Sequence, residues 1–169
     1  MKKIYIMRHG KAKWNDNEIE DFDRPLKGRG HKAAKFMGSL LSVNQEIPDV
    51  ILSSTAVRAK ETTEDFKKSL GSVVPVIYEE TLYMTSVEHT MKILRELNEE
   101  DESVMIIGHN PTWENLIGYL VSPVGFRMYL PTCGVVCIEA DIDEWSELDD
   151  QCSTLKWFLV PKLFMMKHT

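Results

Sequence analysis

Apolar and polar residues alternate along the chain in blocks whose lengths separate strands from helices. Short apolar runs are typical of buried strands, and three of them lie at residues 4–7, 49–52 and 103–107. Segments 73–78, 134–140 and 154–160 also predict strands. Because proline cannot donate a ladder hydrogen bond, Pro75 favours a position at or near the sheet edge for the first of these three.

Longer segments with apolar positions every three or four residues predict amphipathic helices at 30–41, about 56–70, about 86–98 and 111–121. Gly71 is suited to end the second helix, and Pro111 suits the first turn of the fourth. Strands and helices alternate with short connections and without an internal repeat or linker. We therefore expect one domain over residues 1–169, an α/β fold built as a three-layer α/β/α sandwich with a mostly parallel central sheet.

Composition narrows the class of protein. The 169 residues are 43% hydrophobic, as is usual for a globular domain, and 26 acidic against 20 basic residues give a formal charge of −6. That charge disfavours a non-specific nucleic-acid binder, which is normally basic. No apolar run approaches the roughly 18 residues of a membrane span, and the short run before Arg8 does not make a signal peptide.

The three cysteines indicate a reduced setting. Cys133, Cys137 and Cys152 are an odd number, and their spacing fits neither a metal site nor a disulfide framework. We expect small, mostly buried side chains and a cytoplasmic location.

Side chains suited to binding phosphate follow three of the predicted strands. Residues 8–10 (Arg-His-Gly), 53–58 (Ser-Ser-Thr-Ala-Val-Arg) and 108–110 (Gly-His-Asn) stand at these positions. Because ligands of open α/β sheets bind beyond the carboxyl ends of the strands, distant parts of the chain are expected to meet there. Guanidinium groups supply forked donors for phosphate, and an imidazole can act as nucleophile, base or donor. The four side chains expected to converge are Arg8, His9, Arg58 and His109.

In this order and spacing, the motifs resemble the histidine phosphatase (phosphoglycerate mutase-like) superfamily. The resemblance rests on residues 8–10, on 23–30 (Asp-Arg-Pro-Leu followed by Gly30), on 53–62 and on 108–111 (Gly-His-Asn-Pro). The short chain, Leu82-Tyr83 and the Pro-Lys-Leu segment at 161–163 are similar to the compact SixA-type phosphohistidine phosphatases. The resemblance covers nearly the whole chain.

The resemblance implies a role for each of the four residues. His9 matches the nucleophile, which attacks phosphorus and is transiently phosphorylated before water regenerates it. Arg8, Arg58 and His109 match the rest of the phosphate pocket, which holds the non-bridging oxygens and stabilises charge during transfer. The arrangement requires no metal or other cofactor, and no carboxylate and histidine cluster in the sequence has the spacing of a metal site.

Two further positions keep alternative interpretations. Glu80 is the positional candidate for a general acid, or it is simply an exposed loop carboxylate beside Glu79. Asn15, after Trp14, matches the mutase branch and either contacts phosphate or begins a loop. A phosphoramidate nitrogen is basic enough to leave without a dedicated strong acid, whereas an alkoxide is not, so a marginal acid fits phosphohistidine.

Loop lengths bear on the substrate. The acidic segment 14–23 predicts a solvated loop on the rim of the site, and neither it nor segment 71–86 is long enough to form much of a lid. An open pocket admits a phosphorylated histidine on a protein, such as a phosphocarrier or phosphotransfer domain. Departures from the family pattern at Lys11-Ala12, Thr55 and Glu61 leave the pocket intact.

We therefore expect a metal-independent phosphatase for protein phosphohistidine that binds neither nucleic acid nor membrane. Its alternatives are a phosphomonoesterase for a small phosphate ester and a catalytically idle phosphate-binding adaptor. Mutase activity is less favoured, because re-transfer of the phosphoryl group favours an enclosed site that excludes water.

Overall fold

The central element of the fold is a six-stranded sheet. The computed structural model describes residues 1–14, 19–122, 124–150 and 153–165. The strands are β1 (Lys2–Arg8), β2 (Val50–Ser54), β3 (Val76–Glu79), β4 (Ser103–Gly108), β5 (Val135–Ala140) and β6 (Ser153–Leu159). They lie in the order β3-β2-β4-β1-β5-β6.

Helices connect most of the strands. They are α1 (Gly28–Val43), α2 (Val57–Leu70), α3 (Val87–Arg95), α4 (Thr112–Val121) and the short α5 (Pro161–Phe164). Single 3-10 turns lie at Asp21–Asp23, Glu80–Leu82 and Trp145–Glu147. As expected, Gly71 caps α2 in the left-handed conformation, with φ of 71°. The helix expected to reach residue 98 ends at Arg95, because the next two N–H groups turn back to the carbonyls of Ile93 and Leu94.

The sheet is mixed, with a parallel part that carries the site. β3, β2, β4 and β1 are parallel neighbours, whereas β5 runs antiparallel to both β1 and β6. The sequence predicted this mostly parallel sheet, and the antiparallel strands β5 and β6 extend it beyond β1. Register places Arg8 opposite Gly108 and Ser53 opposite Ile107, so β1, β2 and β4 end at one edge.

Both faces of the sheet are buried, which makes the fold a three-layer sandwich. Along β1, Ile4 and Ile6 join the core beneath α3 and α4, while Tyr5 and Met7 join the core beneath α1 and α2. All four side chains are at most 2% exposed. Each fully buried side chain of this kind stabilises the fold by ~1.5–3 kcal/mol.

The described cysteines belong to the core. Cys133 and Cys137 are free thiols in the α1/α2 core, and burial raises the pKa of each to about 12. Both are therefore protonated and unreactive at neutral pH. Cys152 lies outside the described residues. None of the helices in the described ranges has the length and apolar character needed to cross a membrane.

Candidate active site

His9 directly follows β1, and its ring is oriented by two hydrogen bonds. Its backbone N–H donates to the carbonyl of Gly108 at 3.0 Å, which ties the end of β1 to the end of β4. Its Nδ1 lies 2.7 Å from the carbonyl oxygen of Gly10. A carbonyl only accepts, so Nδ1 carries the proton and Nε2 keeps a lone pair. The Nε of Arg58 donates to that Nε2 at 3.3 Å.

The environment keeps His9 neutral. Burial lowers its pKa to about 3, and the neighbouring His109 and Arg58 add to this effect against the hydrogen bond to Gly10. The imidazole is therefore available as a nucleophile at neutral pH. A neutral ring with an unprotonated Nε2 is the form required for attack on phosphorus.

Arg58 is the most contacted cation of the site. It lies in the first turn of α2, as expected, and is 6% exposed. Its terminal nitrogens donate to the backbone oxygen of Asp21 at 2.5 Å and to Oδ2 of Asp21 at 3.0 Å. The side chain thus joins the segment before α1 to His9.

Asp21 was not singled out by the sequence, which predicted only a solvated rim loop for segment 14–23. Although partial burial acts in the opposite direction, hydrogen bonds from Arg24 and Tyr83 and the charge of Arg58 lower the pKa of Asp21 to about 2. Tyr83 donates to Oδ2 at 2.9 Å. Asp21 is one of several carboxylates in an aperiodic segment, so spacing gave no signal for it.

His109 follows β4 and faces His9. The two ring centroids are 5.1 Å apart, and the rings of Tyr83 and His109 pack in a T-shaped arrangement with their centroids 5.6 Å apart. Nε2 of His109 lies 2.8 Å from Oγ of Ser54. Burial and the charge of Arg58 lower the pKa of His109 to about 4, with a weaker contribution from Arg8 and an opposing one from Asp21.

Arg8 ends β1 with part of its guanidinium uncommitted. One terminal nitrogen donates to the carbonyl of Leu130 at 3.0 Å. Within the described ranges, the buried side-chain nitrogen and oxygen atoms without a hydrogen-bond partner all lie at the ends of these three strands. They are Nε of Arg8, Oγ1 of Thr55, Nδ1 of His109 and Oδ1 of Asn110. Buried polar atoms are normally paired, so their concentration at one edge marks a site for a polar ligand.

Two hydrogen bonds through Thr62 link the backbone next to His9 to α2. The backbone N–H of Gly10 donates to Oγ1 of Thr62 at 2.9 Å, and that hydroxyl donates to the carbonyl of Arg58 at 2.6 Å. On the other face, Nε1 of Trp113 donates to the carbonyl of Met7 at 3.0 Å. A Cβ at Gly108 would lie 2.7 Å from the Trp113 ring, so this strand end requires glycine.

The structure thus brings together Arg8, His9, Arg58 and His109. Glu80 is exposed in the turn Glu80–Leu82, and its side chain has no hydrogen bond or ion pair with any described residue. Asn15 lies outside the described residues. Over the same ranges, no group of three or more His, Cys, Asp or Glu side chains is arranged to hold a metal ion.

Comparison with known proteins assigns the family. A model of the histidine phosphatase superfamily (branch 1) matches residues 4–89, and the chain belongs to this superfamily. The matched segment contains the first two strand ends of the site, with Arg8, His9 and Arg58.

Related sequences extend over most of the chain. An uncharacterised protein of Mycobacterium tuberculosis is 29% identical over 164 residues, which are 92% of this chain and 100% of the relative. An uncharacterised chloroplastic protein of Arabidopsis thaliana is 28% identical over 155 residues, 86% of this chain and 70% of the relative.

Solved structures confirm the fold and include SixA proteins. The protein assigned as phosphohistidine phosphatase SixA in Agrobacterium tumefaciens is 29% identical with a TM-score of 0.78, over 95% of this chain and 99% of that one. The protein histidine phosphatase SixA in complex with tungstate has a TM-score of 0.83 at 24% identity, over 96% of this chain and 99% of that one. At that lower identity the likeness concerns the fold.

Proposed function

We propose that this protein is a phosphatase that forms a covalent phosphohistidine on His9 and most readily dephosphorylates phosphohistidine on proteins. The observation that carries the proposal is the state of His9. Its Nε2 is unprotonated, lies 3.3 Å from Nε of Arg58, and belongs to a ring 5.1 Å from that of His109. The nucleophile and the donors for the phosphoryl oxygens therefore occupy one edge of the sheet.

The reaction has two transfers. In the first, the Nε2 lone pair of His9 forms a bond to phosphorus while the bond from phosphorus to the substrate nitrogen breaks, and that nitrogen keeps the electron pair and takes up a proton from the solvent. In the second, water attacks the phosphorus, the bond to His9 breaks, and inorganic phosphate and a proton are released. Arg8, Arg58 and His109 hold the equatorial oxygens in both steps, so the work is mainly positioning and electrostatic.

The preference for phosphohistidine is supported by the surroundings of the leaving group. Glu80, the candidate acid, is exposed, and its side chain makes no hydrogen bond or ion pair with any described residue. A phosphoramidate nitrogen accepts a proton readily, whereas an alkoxide needs a well-placed donor. The likeness to the SixA protein of Agrobacterium tumefaciens at 29% identity points to the same class of substrate.

The proposal requires no metal ion, because the guanidinium groups of Arg8 and Arg58 supply the positive charge that phosphoryl transfer needs. It also places the protein in a reducing cytoplasmic setting, in keeping with the free thiols of Cys133 and Cys137.

A second candidate function is a phosphomonoesterase for a small phosphate ester. It is favoured by the fold neighbours, which include a structure described as an α-ribazole-5'-phosphate phosphatase from Escherichia coli, with a TM-score of 0.72 at 16% identity. In that case Glu80 would move to the leaving oxygen as its acid. An idle adaptor would bind phosphate without turnover.

Phosphorus NMR distinguishes these functions. A phosphohistidine-bearing carrier protein and a simple phosphate monoester are incubated together with the wild-type protein or with His9→Ala, with and without EDTA. The proposal expects selective loss of the phosphohistidine signal that depends on His9 and is unaffected by EDTA. Loss of the monoester alone would establish the metabolite phosphatase, and no loss of either would favour the adaptor.

A further inference from the structure

A second cleft adjoins the site on the far side of Arg8. It has a volume of about 570 Å³, within the range of ligand-binding clefts. Its walls come from the segment after β1, from the start of α1, from the segment before β5 and from α5. Its polar and charged lining residues are Arg8, Lys11, Arg29, Tyr129, Thr132 and Lys162.

The cleft is basic on an acidic protein. Lys11, Arg29 and Lys162 line it, and no carboxylate in the described ranges forms an ion pair with any of them. Over the same ranges no aspartate or glutamate belongs to the lining. The whole chain has a formal charge of −6, so this concentration of cations, unpaired among the described residues, is a local feature.

Backbone contacts fix the cleft beside the nucleophile. Lys11 is two residues from His9, and its carbonyl accepts from the N–H of Lys27 at 2.7 Å. A Cβ at Gly30 would lie 2.6 Å from that same carbonyl oxygen, so glycine lets the start of α1 pack directly against Lys11. Arg29 is thereby held beside Lys11, and buried Pro161 anchors the helix that carries Lys162.

We propose that Lys11, Arg29 and Lys162 bind carboxylate side chains next to the phosphohistidine of the substrate protein. This inference rests on the proposed function. Arg8 belongs both to the phosphate site and to the cleft. An anion bound in the cleft would therefore lie close to the phosphoryl group, separated from it by the side chain of Arg8. The cleft is larger than a single anion requires, and Tyr129 on its wall is 72% exposed, as suits a polypeptide contact.

Charge complementarity of this kind mainly affects the specificity and the rate of association between two proteins. The three side chains therefore determine which phosphoproteins bind rather than how fast phosphorus is transferred. Their effect should appear in KM and should weaken as salt screens the charges.

The test uses two synthetic peptides, each phosphorylated on its single histidine and differing only in whether glutamates or glutamines flank it. The variants are Lys11→Gln/Arg29→Gln/Lys162→Gln and the single Lys162→Gln, whose side chain is exposed. Lys32→Gln is the matched control, because this exposed lysine lies on α1 near Arg29 but outside the cleft lining.

For the acidic peptide, the triple variant should raise KM roughly tenfold with kcat unchanged, the order expected for losing three partly exposed ion pairs. Lys162→Gln should raise KM about twofold. The neutral peptide and the Lys32→Gln control should show no such change. Equal losses on both peptides, or no loss on the acidic one, would overturn this inference and leave the proposed function intact. If the wild-type protein cleaved neither peptide but did cleave a monoester, the proposed function itself would fall.

Discussion

Nε of Arg58 donates to Nε2 of His9 across 3.3 Å, so the cation of the pocket is bonded to the atom that we propose attacks phosphorus. The contact disfavours protonation of that nitrogen and points its lone pair at the guanidinium. A phosphoryl group that displaces this hydrogen bond would meet the proposed nucleophile and a donor for its oxygens together. Arg58 is therefore central to both orientation and charge stabilisation.

Replacing Arg58 tests this relationship. Arg58→Ala should lower kcat/KM by ~10²–10³-fold, the range found when one oxyanion donor is removed. Arg58→Lys keeps the charge but loses the fork that also bonds Asp21, so it should recover little of the activity. Steady-state kinetics with circular dichroism as a check on folding measures both. Full activity in the lysine variant would show that a point charge suffices and that the orientation is unimportant.

The two hydrogen bonds through Thr62 predict an effect on stability. Thr62→Val has nearly the same shape but leaves the buried N–H of Gly10 without its acceptor, which costs ~1–3 kcal/mol. Urea unfolding should show that loss. Thr62→Ser keeps the hydroxyl and is the matched control, expected to lie closer to wild type. Destabilisation of Thr62→Ser without destabilisation of Thr62→Val would mean that packing of the methyl group, and not the hydrogen bond, matters here.

Replacing Glu80 should affect the two candidate classes of substrate differently. Glu80→Gln should leave hydrolysis of phosphoramidates close to wild type, because their nitrogen needs no strong acid, while activity on phosphate monoesters falls more. The ratio of kcat/KM for the two substrates measures the difference. Equal losses on both would remove the argument that links a weak acid to phosphohistidine.

The two histidines of the site predict an unusual titration. Because the pKa of His9 is lowered to about 3 and that of His109 to about 4, both rings should stay neutral down to about pH 5. Proton-carbon NMR of the rings, assigned with His9→Asn and His109→Asn, follows this. Inorganic phosphate should raise the pKa of His109, because its negative charge opposes that of the arginines. A midpoint near 6.5 for either ring in the free protein would contradict the buried, cationic environment.

The same shifts predict how stability depends on pH. The unfolded chain protonates its histidines near pH 6.5, whereas His9 and His109 in the folded state resist protonation until about 3 and about 4. The contribution of these groups to stability is therefore complete above that unfolded pKa and is lost as pH falls toward the folded values. Unfolding in urea at a series of pH values should show this loss, and His109→Asn should reduce it.

The sequence predicted the parts of the protein that depend on local pattern. The strand before Arg8 and the helix containing Arg58 follow directly from apolar periodicity and from Gly71, and the alternation of strands and helices led to the correct fold class. The pairing of Arg8 with Gly108 follows from parallel strands that end at one edge, so the convergence of the four side chains was also predictable.

The contacts that the sequence did not predict join residues far apart in the chain, and no local pattern indicates them. Asp21 contacts Arg58 across 37 positions of the chain, from a segment whose carboxylates have no periodicity. Thr62 belongs to the segment 53–62 on which the family resemblance rests, but no local pattern predicted that its hydroxyl links Gly10 to α2. The basic cleft joins Lys11 to Lys162, which are distant in sequence. Only the folded chain brings these residues together.

The most direct test of the account is to trap the phosphorylated enzyme. The wild-type protein is mixed with a phosphohistidine-bearing carrier protein labelled on phosphorus, quenched at high pH after short times, and digested for mass spectrometry. The account predicts transient label on the imidazole of His9 that disappears as inorganic phosphate accumulates, with no label and no phosphate release in His9→Asn. Turnover without label on His9, or label that persists elsewhere in the His9→Asn protein, would contradict it.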